Sequence, residues 1–175
     1  MRIGSNVVLR GDAWAEAIDK LKPIIDTFYG VYVLSISIGI FADKQIDTLE
    51  MTRYPDSKFE INSAMLHHNN QILDLLFKSA IITTGSVNFT EDFRMELAFN
   101  DDTKLDDAKN FNQMNFLSKF ANYGVTQIVQ LLTEDPLENI EALNKYIMEC
   151  SVGLVLDDFD LGDLDIAESD LGGHQ

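Results

Sequence analysis

The stretch from Val31 to Ala42, VYVLSISIGIFA, constrains this chain more than any other. It is the longest apolar-rich run, and at twelve residues it is far too short to cross a bilayer as a helix, which takes about 20 apolar residues. Its β-branched residues and the alternation in LSISIGI suit a strand. The same residues suit a buried helix in which small Ser35 and Gly39 let a neighbour pack closely. The segments on either side have helical periodicity, so a helix is the expected state here. A strand would change the fold class to α+β.

Helical signals fill most of the remaining chain. After Asp12, a plausible N-cap, the residues Trp14, Ala17, Ile18, Leu21, Ile25 and Phe28 form one stripe. Pro23 kinks or splits that helix. The preceding Val7-Val8-Leu9 reads as a short edge strand or an apolar arm, and RYPDSK near residue 55 reads as a turn. Asn62 caps a helix whose core candidates are Met65, Leu66, Ile72, Leu73, Leu76 and Phe77. Thr90 caps EDFRMELAFN, with acids in its first turn as the helix dipole prefers. A further helix is expected over Ala108 to Asn122, interrupted by Gly124, with VTQIVQLL a separate short helix or strand. Asp135 and Pro136 open the last helix, whose expected apolar face is Leu137, Ile140, Leu143, Ile147 and Met148. The predicted class is therefore mainly α: a compact multi-helix domain over residues 1–156, then a disordered acidic tail over 157–175.

Charge narrows the functional classes. The chain has 13 basic and 29 acidic residues, a net charge of −16. Residues 1–100 carry −4 of that and residues 101–175 carry −12. Such a field repels phosphate backbones and attracts basic surfaces, so direct nucleic-acid binding is disfavoured. The single cysteine, Cys150, can form no internal disulfide, and MRIGSNVVLRGDAW lacks the apolar core of a signal peptide. Cytoplasmic residence and no membrane association are expected.

The last nineteen residues, DDFDLGDLDIAESDLGGHQ, hold seven carboxylates and no Lys or Arg. Apolar residues are set among them. A purely solvating tail has no need of those, whereas a recognition segment does. The predicted partner-binding residues are Asp157, Asp158, Phe159, Asp160, Leu161, Asp163, Leu164, Asp165 and Ile166. Arg53, Arg94, Tyr29 and Tyr32 are further interface candidates, since aromatic and Arg anchors are enriched at interfaces.

Catalytic and metal signals are weak. His67, Gln71 and Asp74 share a helical face but supply too few ligands for a tight site. Glu134, Glu138 and Glu141 lack the Glu-x-x-His companions of a carboxylate metal bundle and read as a solvated face. Asp101, Asp102, Asp106 and Asp107 lack the Asn, Gly and Glu positions of a calcium loop. The group Pro55, Asp56, Lys58 and Glu60 does not complete a nuclease pattern, and Cys150 reads as a small apolar residue. No catalytic residue, metal or cofactor is expected.

The reading is a non-enzymatic accessory or adaptor subunit of a cytoplasmic complex, which binds a basic protein surface such as that of a nucleic-acid enzyme or an ATPase. The alternatives are an antitoxin-like or nucleic-acid-mimic inhibitor, a metal-dependent hydrolase built from distant carboxylates, and a homodimer.

Overall fold

A computed structural model of the chain describes residues 1, 3–99 and 110–152. The order of elements is β1 (Val7–Arg10), α1 (Asp12–Leu21), α2 (Phe28–Ala42), β2 (Lys58–Ile61), α3 (Ser63–His68), α4 (Asn70–Thr83), α5 (Glu91–Phe99), α6 (Gln113–Leu131) and α7 (Pro136–Val152). The chain is mainly α-helical. Its one sheet among the described residues is the antiparallel pair β1–β2, with Val7 opposite Ile61 and Arg10 opposite Lys58.

The run that most constrains the sequence is the helix α2. Thr27 starts it by accepting the Gly30 amide on its hydroxyl at 3.1 Å, and Asp43 ends it in the left-handed conformation, φ 48°. A helix that is apolar on all sides belongs in a core, and α2 lies there against α6. Val31, Tyr32, Ser35, Ile36, Ile38 and Gly39 are all buried. The two backbones touch. A Cβ placed on Gly39 would sit 2.1 Å from the Phe120 carbonyl oxygen, and one on Gly124 would sit 1.8 Å from the Ser35 carbonyl oxygen. The Ser35 hydroxyl donates back to Val31 O at 2.8 Å, so it leaves no unsatisfied group at the crossing.

This contact corrects one sequence expectation. Gly124 does not interrupt a helix: α6 runs unbroken through it, because the missing side chain is what lets Ser35 approach. Further corrections concern boundaries. α1 ends at Leu21, where the Leu21 carbonyl accepts the Ile24 and Ile25 amides at 2.8 and 2.7 Å. The expected helix over residues 63–82 is broken at Asn69 into α3 and α4, and Met65 and Ile72 are exposed rather than core. β2 is an addition, since KFEI carries two charges and has no strong strand signal.

Around the α2–α6 pair, polar side chains hold the connections. The Trp14 indole donates to Asn122 Oδ1 at 3.0 Å, and Asn122 Nδ2 donates to Ile46 O at 3.1 Å. The Tyr32 hydroxyl meets Ser118 Oγ at 2.9 Å, and burial raises its pKa. Phe77, Phe89, Phe93, Phe111, Phe116 and Phe120 pack as a chain of tilted and edge-to-face rings with centroids 5.2–6.1 Å apart. That separation is the favoured range for aromatic pairs.

Two buried or half-buried carboxylates organise loops distant in sequence. Asp12 is the first residue of α1 rather than its N-cap, which is Gly11. Its carboxylate accepts the amides of Thr52, Arg53 and Tyr54 at 2.9–3.0 Å and the Thr52 hydroxyl at 2.8 Å. The Arg53 amide above all, with those of Tyr54 and Thr52, holds the Asp12 pKa down at about 2 against the opposing effect of burial. Asp43 does the same for the end of α4. It accepts the Gly85 and Ser86 amides at 2.8 and 2.9 Å and the Thr84 hydroxyl at 2.6 Å. Burial pushes the Asp43 pKa up, but these hydrogen bonds outweigh it and the net shift is downward.

Gly39→Ala and Gly124→Ala should each destabilise the fold by about 2 kcal/mol or more, because the added methyl meets backbone rather than a movable side chain. Gly85→Ala, whose Cβ would meet only the Asp43 carboxylate at 3.4 Å, should cost about 1 kcal/mol or less. Urea unfolding of the three variants checks this ordering. Asp12→Asn should lower stability at neutral pH, since an amide cannot accept this set of donors equally well. The folded pKa lies below the ordinary 3.8, so the carboxylate's contribution is complete above that value and is lost as pH falls through about 2. The stability gap between wild type and Asp12→Asn should therefore narrow from about pH 4 to about pH 2.

Candidate functional site

The last helix is held by its start. Pro136 occupies the first helical position, where a missing amide costs nothing. Asp135 Oδ1 accepts the Leu137 amide at 2.8 Å. Asn139 is buried and folds back on the connection from α6: its Oδ1 accepts the Thr133 amide at 2.7 Å and its Nδ2 donates to Thr133 O at 3.2 Å. The Thr133 hydroxyl donates to Glu138 at 2.8 Å. These bonds fix the rotation of α7 about its own axis as well as its starting point.

That rotation decides which apolar residues go inside. Asn139, Leu143 and Tyr146 recur at four and three and face the body, with Leu143 in the core and Tyr146 packed against it. Burial raises the Tyr146 pKa, with a further contribution from the adjacent Cys150 thiol. Leu137 and Met148 lie on the opposite side, about three turns apart, and are 70 % and 66 % exposed. Ile140 and Ile147, between them along the helix, are also exposed. The expected apolar face of α7 is thus corrected. Of its five residues only Leu143 is in the core, and the other four are solvent-exposed. Glu138, Glu141 and Glu149, with Lys145, occupy the polar face beside this strip.

The other residues singled out from sequence fall as follows. Asp157, Asp158, Phe159, Asp160, Leu161, Asp163, Leu164, Asp165 and Ile166 lie outside the described residues, as do Asp101, Asp102, Asp106 and Asp107. Arg53 is exposed and pairs with Glu16 at 2.9 Å. Arg94 is committed internally. Its guanidinium donates to the Ile81 and Val87 carbonyls at 2.6 and 3.2 Å and lies over the Phe89 ring. Tyr32 is fully buried, so in this fold it is a core residue and offers no surface to a partner. Tyr29 is half-buried at the start of α2.

Among the described residues the candidate chemical groups are not assembled. His67 and His68 are exposed, while Asp74 pairs with Lys78 and with the Met1 ammonium group, both at 2.7 Å. Glu134 pairs with Lys20 at 3.1 Å. Lys58 and Glu60 sit on β2 and pair with each other at 3.5 Å. Among the described residues no three His, Cys, Asp or Glu side chains converge as a metal site. No helix among them is long and apolar enough to cross a membrane. The clearest signal missed from sequence was Asn139. A buried polar residue at the fourth position of a helix marks the inward side, and it could have set the helical wheel.

Leu143→Ala should destabilise the protein by about 2–3 kcal/mol. Leu137→Lys and Met148→Lys should change stability by less than about 0.5 kcal/mol, as substitutions of exposed residues do. Thermal unfolding of these variants distinguishes the inward and outward faces of α7.

No protein-family model, no curated protein and no solved structure matches this chain, so its reading rests on its own residues.

Proposed function

We propose that this chain is a non-enzymatic accessory or adaptor subunit in the cytoplasm, docking on a basic partner surface through the outward side of α7 and the acidic segment that follows it. One observation carries the reading. Leu137, Ile140 and Met148 stand exposed on the very helix that leads into the acidic and apolar residues 157–166. Scattered apolar side chains on a surface are ordinary, but several on one helical side, next to a charged segment, have the composition of a docking surface.

The division of labour follows from the physics of association. Apolar groups that leave water on docking slow dissociation, while carboxylates steer encounter and choose the sign of the partner. A net charge of −16 favours a partner that presents Lys and Arg around an apolar strip. A nucleic-acid enzyme or an ATPase with a basic nucleic-acid face fits that description. The subunit would then position, inhibit or regulate its partner without a bond-making step of its own.

Affinity capture from native cells tests this with three baits: the full chain, a chain ending at Leu156, and the full chain with Leu137→Asp and Met148→Asp. A basic protein should be retained by the first, lost by the other two, and weakened as salt is raised. The same partner on all three baits would contradict the reading. A partner that is indifferent to both changes, but lost on reversing acids of the helical body, would support nucleic-acid mimicry instead.

A further inference from the structure

A second surface, distinct from α7, lies where α1 turns into α2 and meets β2. Two hollows adjoin there on either side of Phe28 and share Asp26, Thr27 and Phe28. The larger, about 560 Å³, is floored by apolar side chains including Ile18, Ile25, Val31 and Phe59. Phe28 and Tyr54 form its lips and are 41 % and 43 % exposed. The smaller, about 230 Å³, is lined by Asp26 and Glu60 among others. The Glu60 carboxylate is held by Lys58 at 3.5 Å and by the Asn6 side-chain amide, which leaves Asp26 as the acid without an ion-pair partner among the described residues.

The walls are built in advance. Phe28 packs edge-on against Phe59 with centroids 5.3 Å apart. Tyr54 is fixed through its amide to Asp12 at 2.9 Å. Thr27 is fixed by its cap on α2. The phenolic oxygen of Tyr29, on the smaller hollow, is buried without a hydrogen-bond partner among the described residues. Asp26 has no ion-pair partner among the described residues, and the lone cation lining either hollow, Lys22, is on the larger one.

We propose that this groove is a docking site for a segment of a protein partner that carries a bulky apolar side chain close to a Lys or Arg. The apolar side chain fills the larger hollow, and the cation reaches Asp26, which lines both hollows. Two adjoining hollows that share Asp26, a carboxylate without an ion-pair partner among the described residues, fit two side chains in succession along a peptide better than one compact molecule. Charge selects among occupants. The seven carboxylates of residues 157–175 are repelled by Asp26, and a second copy of this chain, at −16, is repelled as a whole.

The test is a selection of short peptides on the immobilised full chain, from a library with varied apolar and basic content. The best binders are then measured by fluorescence anisotropy, and their footprint by hydrogen exchange. Selected peptides should pair Leu, Phe, Trp or Met with a nearby Lys or Arg. Their protection should fall on residues 15–31 and 54–62. Asp26→Lys and Phe28→Ala should each weaken binding about tenfold or more, while Asp92→Lys, on α5, should leave it unchanged. Neutralising the carboxylates of residues 157–170 to amides within the full chain should also leave it unchanged. Binders unaffected by Asp26→Lys and Phe28→Ala but lost on that neutralisation would overturn the groove while leaving the α7 reading intact. Selection of no peptides, of acidic ones, or of peptides that protect other residues would overturn it too.

Discussion

Everything in this fold depends on the backbone contact between α2 and α6. Two glycines, Gly39 and Gly124, remove the side chains that would hold the helices apart, and each meets the carbonyl of a residue on the other helix. Close approach of this kind gains dispersion over many atom pairs at once and tolerates little change in volume. The pair defines an axis on which Tyr32, Ile36, Leu117 and Phe120 are buried completely. α1 joins through Trp14 and its bond to Asn122, and the aromatic chain from Phe77 to Phe120 joins α4 and α5 to the same core.

Much of the helical order could be read directly. The caps at Asn62, Thr90 and Asp135 hold because each is a local exchange between a side chain and an amide two or three residues later. In Val31–Ala42 the small residues Ser35 and Gly39 lie one helical turn apart and face α6; residues four apart share a face in a strand as well, so their spacing alone could not choose between the two states. Gly124 could not be told from a breaker: the same residue type serves a chain end and a close crossing, and only the neighbour decides. Asp12 was legible as a helix-start residue. Its real task was not, because its donors stand about forty positions later in the sequence.

The surface was harder to read, for a geometric reason. Helical periodicity finds apolar arcs but cannot say which arc faces the core when a helix has two. α7 has two, and the buried Asn139 turns Leu143 and Tyr146 inward, leaving Leu137, Ile140 and Met148 in solvent. The groove beside Phe28 was illegible for a different cause, since its walls come from α1, α2 and β2 and no short window contains them. Tyr29, an interface candidate from the sequence, does line the smaller hollow beside Phe28. The polar anchors at Asp12 and Asn139 set the positions of these surfaces, so the functional reading is tied to the same bonds that hold the loops.

The most direct measurement of the central claim is site-specific photo-crosslinking in native cells, with a benzophenone side chain placed at Met148 in one protein and at exposed Gln71 on α4 in another. The account predicts a heterologous basic protein crosslinked from position 148 and absent from position 71. Crosslinks to the same protein from both positions, to another copy of this chain, or to nothing from position 148 would contradict a docking role for the outward side of α7.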